Sequence, residues 1–322
     1  MGWFDIFPHL GDEQIDEYSN NASSAEKVGL EDWFEVSSTI GEKSGDHILA
    51  TSLFWKNPIS SDSDLPPPTE SSMRAGAEHG YRGKYEAWSH YVEPLLAGAA
   101  ILAEARPDIV FRVYLAFDLE FLVPELVAAG CEIKLMKSSS VRHNPGAMWR
   151  FLALEDGASM VTIIDADRAP HALSDIERTE ITKASGLGCW RRPYVLDQLR
   201  VGEPGLYRPI NACQFGVCGV QPISLLMKAF IWHSRRGTIP DFCLVPEPSG
   251  IRNHAIAGSE WPSYGFDEWF LLAALYPRIA EGGVLTFIPM RNSSVSPWIA
   301  ADIGFVSSVC PASEVFYFHN EI

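Results

Sequence analysis

Residues 160–168 constrain this chain most, because they join a buried strand directly to two carboxylates. Met160 to Ile164 are almost all β-branched or apolar, a pattern that predicts a fully buried strand. Asp165 and Asp167 follow with one residue between them, and in an extended backbone that spacing puts both on one face. Two carboxylates suit Mg²⁺ or Mn²⁺, and ligands of open α/β sheets bind at the carboxyl ends of the strands. The segment therefore predicts fold class, metal and site together.

Size and charge exclude several classes of protein. With 322 residues the chain is long enough for one extended domain or two smaller ones. A formal net charge of -16 argues against a broad nucleic-acid surface, which needs Lys and Arg. No apolar run reaches the length of a membrane span, and the first residues lack the basic and apolar regions of a secretory signal.

The six cysteines indicate the compartment. They are scattered and form no CxxC pair, which argues against a zinc site. Several lie in apolar, strand-like segments, as reduced core thiols do. A cytoplasmic protein fits this usage best.

Composition divides the chain at about residue 45. Residues 1–45 are strongly acidic, with the aromatic pairs Trp3-Phe4 and Trp33-Phe34. They form either a peripheral segment on the core or a docking arm with the aromatics as anchors. The remainder, 46–322, is predicted to be the main domain, with one half at 46–168 and the other at 169–322.

Strand and helix patterns alternate through the first half of that domain. Alternation of this kind implies a Rossmann-type, mostly parallel central sheet flanked by helices, in a single extended α/β domain. The predicted strands are 48–55, 109–117, 131–136, 160–164, one within 211–220, and 284–288. The predicted helices are 84–105, 119–129, 144–155, 170–184, 223–233 and 267–276.

Three segments in order resemble a GT-A glycosyltransferase with a DxD motif. The first is residues 148–154 followed by Ile164-Asp165-Ala166-Asp167, similar to the helix and DxD strand of such enzymes. The second is 211–217, similar to the acceptor-side strand, and the third is 264–271, similar to a late motif with an acid at a helix start. The likeness covers roughly residues 46 to 320. The group usually has Asp-Ser at the position where this chain has Asp167-Arg168.

The resemblance implies a metal-dependent enzyme that moves a sugar from a nucleotide-diphosphate sugar to an acceptor. Mn²⁺ or Mg²⁺ would neutralise the diphosphate and improve it as a leaving group. Partners would be the sugar donor and an unidentified glycan, lipid-linked or protein acceptor. Residues 46–168 would form the nucleotide-sugar half of the domain, and residues 169–322 the acceptor half. The implied site residues are metal ligands Asp165, Asp167 and His319; donor-binding Arg150, Arg82, Tyr81, Asp165 and Gln214; and catalytic Asp267 and Glu268.

All of these residues except Gln214 are also given a purely structural reading. Asp165 and Asp167 fit a solvated strand-end turn, and Arg150 fits a surface arginine or a carboxylate partner. His319 fits a buried histidine. Asp267 and Glu268 fit acids that complement a helix N-terminus, and Tyr81 and Arg82 fit a helix edge. From the metal reading we expect Asp165→Asn and Asp167→Asn each to abolish metal-dependent turnover and to leave the fold intact.

Two other functions compete with glycosyl transfer. A HAD-like phosphohydrolase also ends a strand in DxD, but prefers Thr or Val after the second Asp and the motif near the start of the domain. A non-catalytic nucleotide-binding or scaffold protein would use the acidic, aromatic arm to recruit partners. Donor turnover with metal, phosphatase activity, and binding without turnover distinguish the three.

Overall fold

The structure is a computed structural model, and it describes residues 9–54, 69–75, 87–138, 146–191, 212, 214–238, 242–243, 254–255, 266–280, 282–290 and 314–319. Contacts divide the chain into two compact units. One unit is Ser23–Ile176, and the other combines Met1–Ala22 with Glu177–Ile322. The functional boundaries predicted from the sequence, at 45 and 168, stay a prediction.

The strands are β1 Val36–Ile40, β2 His47–Leu53, β3 Val110–Leu115, β4 Glu132–Met136, β5 Met160–Ile164, β6 Cys189–Arg191, β7 Gln214–Cys218, β8 Phe242–Cys243, β9 His254–Ala255, β10 Val284–Met290 and β11 Glu314–His319. The α-helices are α1 Asp12–Asn21, α2 Ser24–Phe34, α3 Glu70–Arg74, α4 Glu93–Ala105, α5 Val123–Ala128, α6 Gly146–Trp149, α7 Ala172–Ala184, α8 Ile223–Arg235, α9 Phe266–Phe270 and α10 Tyr276–Ala280. Short 3₁₀ or π segments flank several of these helices: Trp88–Val92, Phe117–Leu122, Arg150–Glu155, Ala166–His171 and Leu271–Leu275.

In its described residues, the unit Ser23–Ile176 has five strands, in the order β1-β4-β3-β2-β5. β4, β3, β2 and β5 pair in parallel, and β1 joins the edge antiparallel to β4. Every residue of β2 and of β3 is buried, as expected of a parallel strand covered on both faces. The predicted α/β class with a mostly parallel sheet is confirmed.

Residues 23–40 of the acidic N-terminal segment belong to this sheet unit. Ser23 caps α2 through a capping box, in which Glu26 N–H donates to Ser23 Oγ at 3.2 Å and Ser23 N–H donates to the Glu26 carboxylate at 2.8 Å. Phe34 is buried, and the Trp33 carbonyl accepts a hydrogen bond from Trp149 Nε1 at 2.9 Å. Phe34 therefore packs inside the unit rather than projecting as an exposed anchor. Trp3 and Phe4 lie outside the described residues.

A buried charge cluster lies near the amino ends of β3 and β4. Arg112 Nε donates to Glu132 at 2.5 Å, and another Arg112 nitrogen pairs with Asp156. The Lys43 N–H donates to the second Glu132 oxygen at 2.9 Å. Because buried charges are costly unless paired, these contacts indicate a structural cluster at the edge opposite the carboxyl ends.

In its described residues, the second unit has four strands of the larger sheet in the order β7-β6-β10-β11, with β6, β10 and β11 parallel and β7 antiparallel to β6. A separate antiparallel pair is formed by β8 and β9. α1 packs on α8, where His233 is fully buried and its Nε2 lies 2.7 Å from the Gln14 carbonyl. A carbonyl only accepts, so that nitrogen carries the proton and donates. The Leu10 N–H donates to the Ala273 carbonyl at 2.7 Å, which ties down the start of the described chain.

In the described parts of the chain, no helix combines the length and the apolar character needed to cross a bilayer.

Candidate metal and nucleotide site

The strand order of the unit Ser23–Ile176 reverses between β2 and β5. The chain passes from β2 to β3 and β4 on one side, and then returns to place β5 on the other side of β2. Since ligands of open α/β sheets bind outside the carboxyl ends of the strands at such a reversal, the end of β5 is the favoured position for a site. Asp165 is the residue directly after β5.

Asp165 and Asp167 do not share one extended face, and the geometric argument from their spacing was wrong. β5 ends at Ile164, and Asp165 is the N-terminal flanking residue of the 3₁₀ helix Ala166–His171. The Arg168 N–H donates to the Asp165 carbonyl at 3.0 Å, which closes the first 3₁₀ turn. In a 3₁₀ helix side chains align at i and i+3 rather than i and i+2, so the two carboxylates meet different partners.

Asp165 receives the side chain of Arg150. The Arg150 guanidinium donates to an Asp165 carboxylate oxygen, with the arginine side chain 5% exposed and the aspartate 40% exposed. The Arg150 N–H also donates to Ser52 Oγ on β2 at 2.9 Å, which fixes its 3₁₀ segment against that strand. Arg150 therefore lies below Asp165 as its counter-ion, the contact expected of the structural reading; a role in donor binding stays a prediction.

Asp167 faces His90, a residue that the sequence analysis did not select. His90 Nε2 lies 3.8 Å from Asp167 Oδ2, and the two side chains are 43% and 37% exposed. His90 is on the π-helical turn Trp88–Val92 that leads into α4. One exposed histidine in a helical pattern gives no signal of its own, so this neighbour could not be found from the sequence.

The turn carrying Asp167 is anchored on two sides. Gly98 of α4 touches it so closely that a Cβ on this glycine would lie 2.3 Å from the carbonyl carbon of Ala169. Arg168 reaches the fully buried Asp175 of α7 at 3.3 Å. Arg168 thus reaches into the protein and holds the turn.

The donor atoms around this edge suit a divalent cation only in part. Within the described residues, no group of three or more His, Cys, Asp or Glu side chains is placed to hold a metal ion. Asp167 offers a half-exposed carboxylate beside an imidazole, a combination typical of first-row transition metals. Asp165 offers its carboxylate while bound to Arg150. A cation here would take part of its shell from water or phosphate oxygens, as Mg²⁺ commonly does.

The other predicted site residues lie elsewhere or outside the description. Gln214 begins β7 and is 1% exposed. Asp267 is the second residue of α9 and is half-buried. Glu268 and His319 are described in backbone only, in α9 and at the end of β11. Tyr81 and Arg82 lie outside the described residues. The structure brings together Arg150, Asp165, Asp167 and His90 in one unit; the roles predicted for the rest stay predictions.

No protein-family model matches the sequence, and no curated protein matches it either. Among solved structures, the chain is similar to the "Crystal structure of M. tuberculosis glucosyl-3-phosphoglycerate synthase", with 12% sequence identity and a TM-score of 0.36. The alignment covers 96% of this chain and 89% of that chain. A likeness this distant says nothing about the function of the chain.

Proposed function

We propose that this chain is a metal-dependent glycosyltransferase that moves a sugar from a nucleotide-diphosphate sugar to an acceptor. The observation that carries the proposal is the position of Asp165 and Asp167. They follow β5 at the carboxyl edge of a parallel sheet, beside the reversal of strand order, where such folds bind their ligands. Carboxylates alone would repel a diphosphate, so the chemistry favours a cation that lies between the carboxylates and the phosphates.

Mn²⁺ or Mg²⁺, when bound, would neutralise the diphosphate and so stabilise it as a leaving group. Asp167 is the carboxylate best placed to hold the ion. Asp165 holds Arg150 and positions it at the floor of the site. Tyr81, Arg82 and Gln214 remain our candidates for the nucleotide or sugar, His319 for the metal shell, and Asp267 and Glu268 for the acceptor side.

Transfer, rather than binding alone, is supported by the three sequence segments that resemble GT-A enzymes. In an inverting reaction Asp267 or Glu268 would take the proton of the acceptor hydroxyl; in a retaining one a carboxylate would stabilise the oxocarbenium-like centre. A HAD-like phosphohydrolase needs its first aspartate as the nucleophile. The Arg150 contact occupies that carboxylate, which disfavours the phosphohydrolase.

The direct test is turnover of nucleotide sugars. Wild-type protein is incubated with a panel of UDP- and GDP-sugars in Mn²⁺, and release of the nucleoside diphosphate is followed with and without chelator. We expect metal-dependent release with at least one donor, lost in Asp167→Asn. The matched control is Asp46→Asn, the same change at an exposed residue just before β2. Phosphatase activity without donor release would favour the HAD-like alternative, and nucleotide binding without release would favour the scaffold.

A further inference from the structure

The π-helical turn Trp88–Val92 presents His90 to the candidate site. Trp88 and Val92 are buried and fix the turn from below, whereas His90 between them is exposed. The Glu93 N–H donates to the Trp88 carbonyl, the i to i+5 bond of a π-helix. Such turns are often found at functional sites, because the extra residue redirects a side chain.

The position of His90 relative to Asp167 is set by packing. Both the π-helical turn and α4 contact the 3₁₀ helix Ala166–His171. Gly98 of α4, which follows the π-helical turn, lies against Ala169 with no room for a Cβ. Elements in such close contact move as one piece, since packed interiors are not continuously deformable. The imidazole and the carboxylate are therefore held near each other by the fold and not by their own attraction alone.

The distance between them fits two ligands of one ion. Carboxylate oxygens and imidazole nitrogens bind first-row metals at about 2.0–2.2 Å, so two donors of one ion lie at most about 4.4 Å apart. His90 Nε2 and Asp167 Oδ2 are separated by 3.8 Å, and both side chains are partly exposed. Asp165 is held by the buried cation of Arg150.

We propose that His90 and Asp167 form a divalent-cation site, with Asp165 serving as the counter-ion of Arg150 rather than as a primary ligand. The inference deepens the proposed function, on which it rests for the ligand that completes the shell: water in the free protein, and phosphate oxygens with a donor bound. An imidazole in the shell favours Mn²⁺, Co²⁺ or Zn²⁺ over Mg²⁺, which prefers oxygen ligands. The His90–Asp167 site thus predicts which metals the protein prefers.

The test is metal binding by the purified chain without nucleotide. Co²⁺ and Mn²⁺ are titrated into wild type and single variants, with affinity from calorimetry and folding checked by circular dichroism. His90→Gln and Asp167→Asn should each weaken Co²⁺ binding at least about tenfold, because the loss of even an outer-shell partner of a metal ligand typically costs about 10–100-fold in affinity. The matched control His171→Gln changes an exposed histidine of the same 3₁₀ helix and should leave the affinity within about twofold.

Two further variants separate the His90–Asp167 site from its alternatives. Asp165→Asn should keep Co²⁺ affinity nearly unchanged, and His90→Asp should raise the affinity for Mg²⁺ relative to Co²⁺. Wild-type Co²⁺ affinity in His90→Gln, loss of binding in Asp165→Asn instead, or no metal binding by wild type would each overturn the inference and leave His90 as an ion-pair partner. Metal binding that depends on His90 without turnover of any nucleotide sugar would support the site and refute the transferase. Donor turnover that His90→Gln leaves unchanged would support the transferase and refute the metal site at His90 and Asp167.

Discussion

At the scale of single residues, the site is organised by where each charge is buried. Arg150 is almost fully enclosed, and its partner Asp165 reaches solvent. The sequence could predict that these residues belong together near the end of a strand, because both flank the buried β5 segment. It could not predict that Asp165 is bound by Arg150 and Asp167 by His90, since neither contact leaves a periodic signal.

The Arg150–Asp165 contact changes the expectation that an amide at Asp165 leaves the fold intact. Asp165→Asn removes a charged acceptor from a buried guanidinium, and we expect it to lower the free energy of unfolding by about 1.5–3 kcal/mol, the value of a hydrogen bond to a charged group. Urea unfolding would measure the loss, with Asp46→Asn as the control.

A second substitution tests whether the loss comes from that contact. Arg150→Met alone removes the buried charge, and adding it to Asp165→Asn should recover part of the stability, because the arginine no longer needs the carboxylate. Strictly additive losses in the double variant, or an Asp165→Asn variant as stable as Asp46→Asn, would mean that Arg150 is stabilised by other groups.

At the scale of elements, hydrophobic runs identify the central strands and fail at the edges. β2 and β3 are buried throughout, so their apolar runs were readable. β1 is exposed at its first four residues and carries Ser37, Ser38 and Thr39, a composition that resembles a loop. Its edge position explains this, since four successive exposed residues leave both faces of the strand in solvent, and such an edge strand needs few apolar residues. The edge strand β11 was missed as well, and so was β6, an interior strand of only three residues between β7 and β10.

The sequence did not predict the contact between α4 and the 3₁₀ helix Ala166–His171 either. A Cβ on Gly98 would lie 2.3, 2.4 and 2.5 Å from atoms of Ala169. Gly98→Ala should therefore cost about 1–3 kcal/mol as overpacking, despite the better helix propensity of alanine. The displaced turn should also weaken metal binding, which titration of Co²⁺ would measure.

Gly29 in α2 provides the matched control, because nothing lies within 4 Å of the Cβ it would gain. Gly29→Ala should stabilise the protein by roughly 0.5–1 kcal/mol through helix propensity alone. Should both glycine variants gain stability alike and bind metal normally, α4 does not position the turn that carries Asp167.

The reactivity of the Cys131 thiol tests whether the segment between α5 and β4 is buried. It is 1% exposed, and burial raises the pKa of its thiol to about 12. The thiolate fraction at pH 8 is then negligible, so iodoacetamide should leave Cys131 unmodified in the native protein and modify it in urea, as peptide mass spectrometry would report. The half-buried Cys218, whose pKa burial also raises, should react faster.

The same shift has a consequence for stability at alkaline pH. A folded-state pKa above the unfolded value of 9.0 stabilises the protein below about pH 9, and the contribution is lost as the pH rises towards about 12. Cys131→Ala should lose less stability than wild type across that window. Rapid labelling of Cys131 in the native protein would show that the thiol is accessible. Equal losses of stability at alkaline pH in wild type and Cys131→Ala would show the same.

At the scale of the whole molecule, the chain carries a net charge of -16, so its long-range field opposes the approach of a nucleotide. A nucleoside diphosphate can bind only where local cations outweigh that field. Arg150 is committed to Asp165, and a divalent ion at the end of β5 is the compensation that the proposal supplies. The whole-molecule charge therefore makes metal dependence a demanding test of the account.

The measurement that tests this claim most directly is a thermal-shift titration of UDP and GDP, each with Mn²⁺ and each with chelator. At about 100 times its dissociation constant, a bound nucleotide should add about 2.7 kcal/mol to the free energy of unfolding. We expect this stabilisation for at least one nucleotide in Mn²⁺ only. It should be absent with chelator and absent in Asp167→Asn, and Asp46→Asn should behave as wild type. Equal stabilisation with chelator, or no stabilisation by either nucleotide in Mn²⁺, would contradict a metal-dependent nucleotide site at the end of β5.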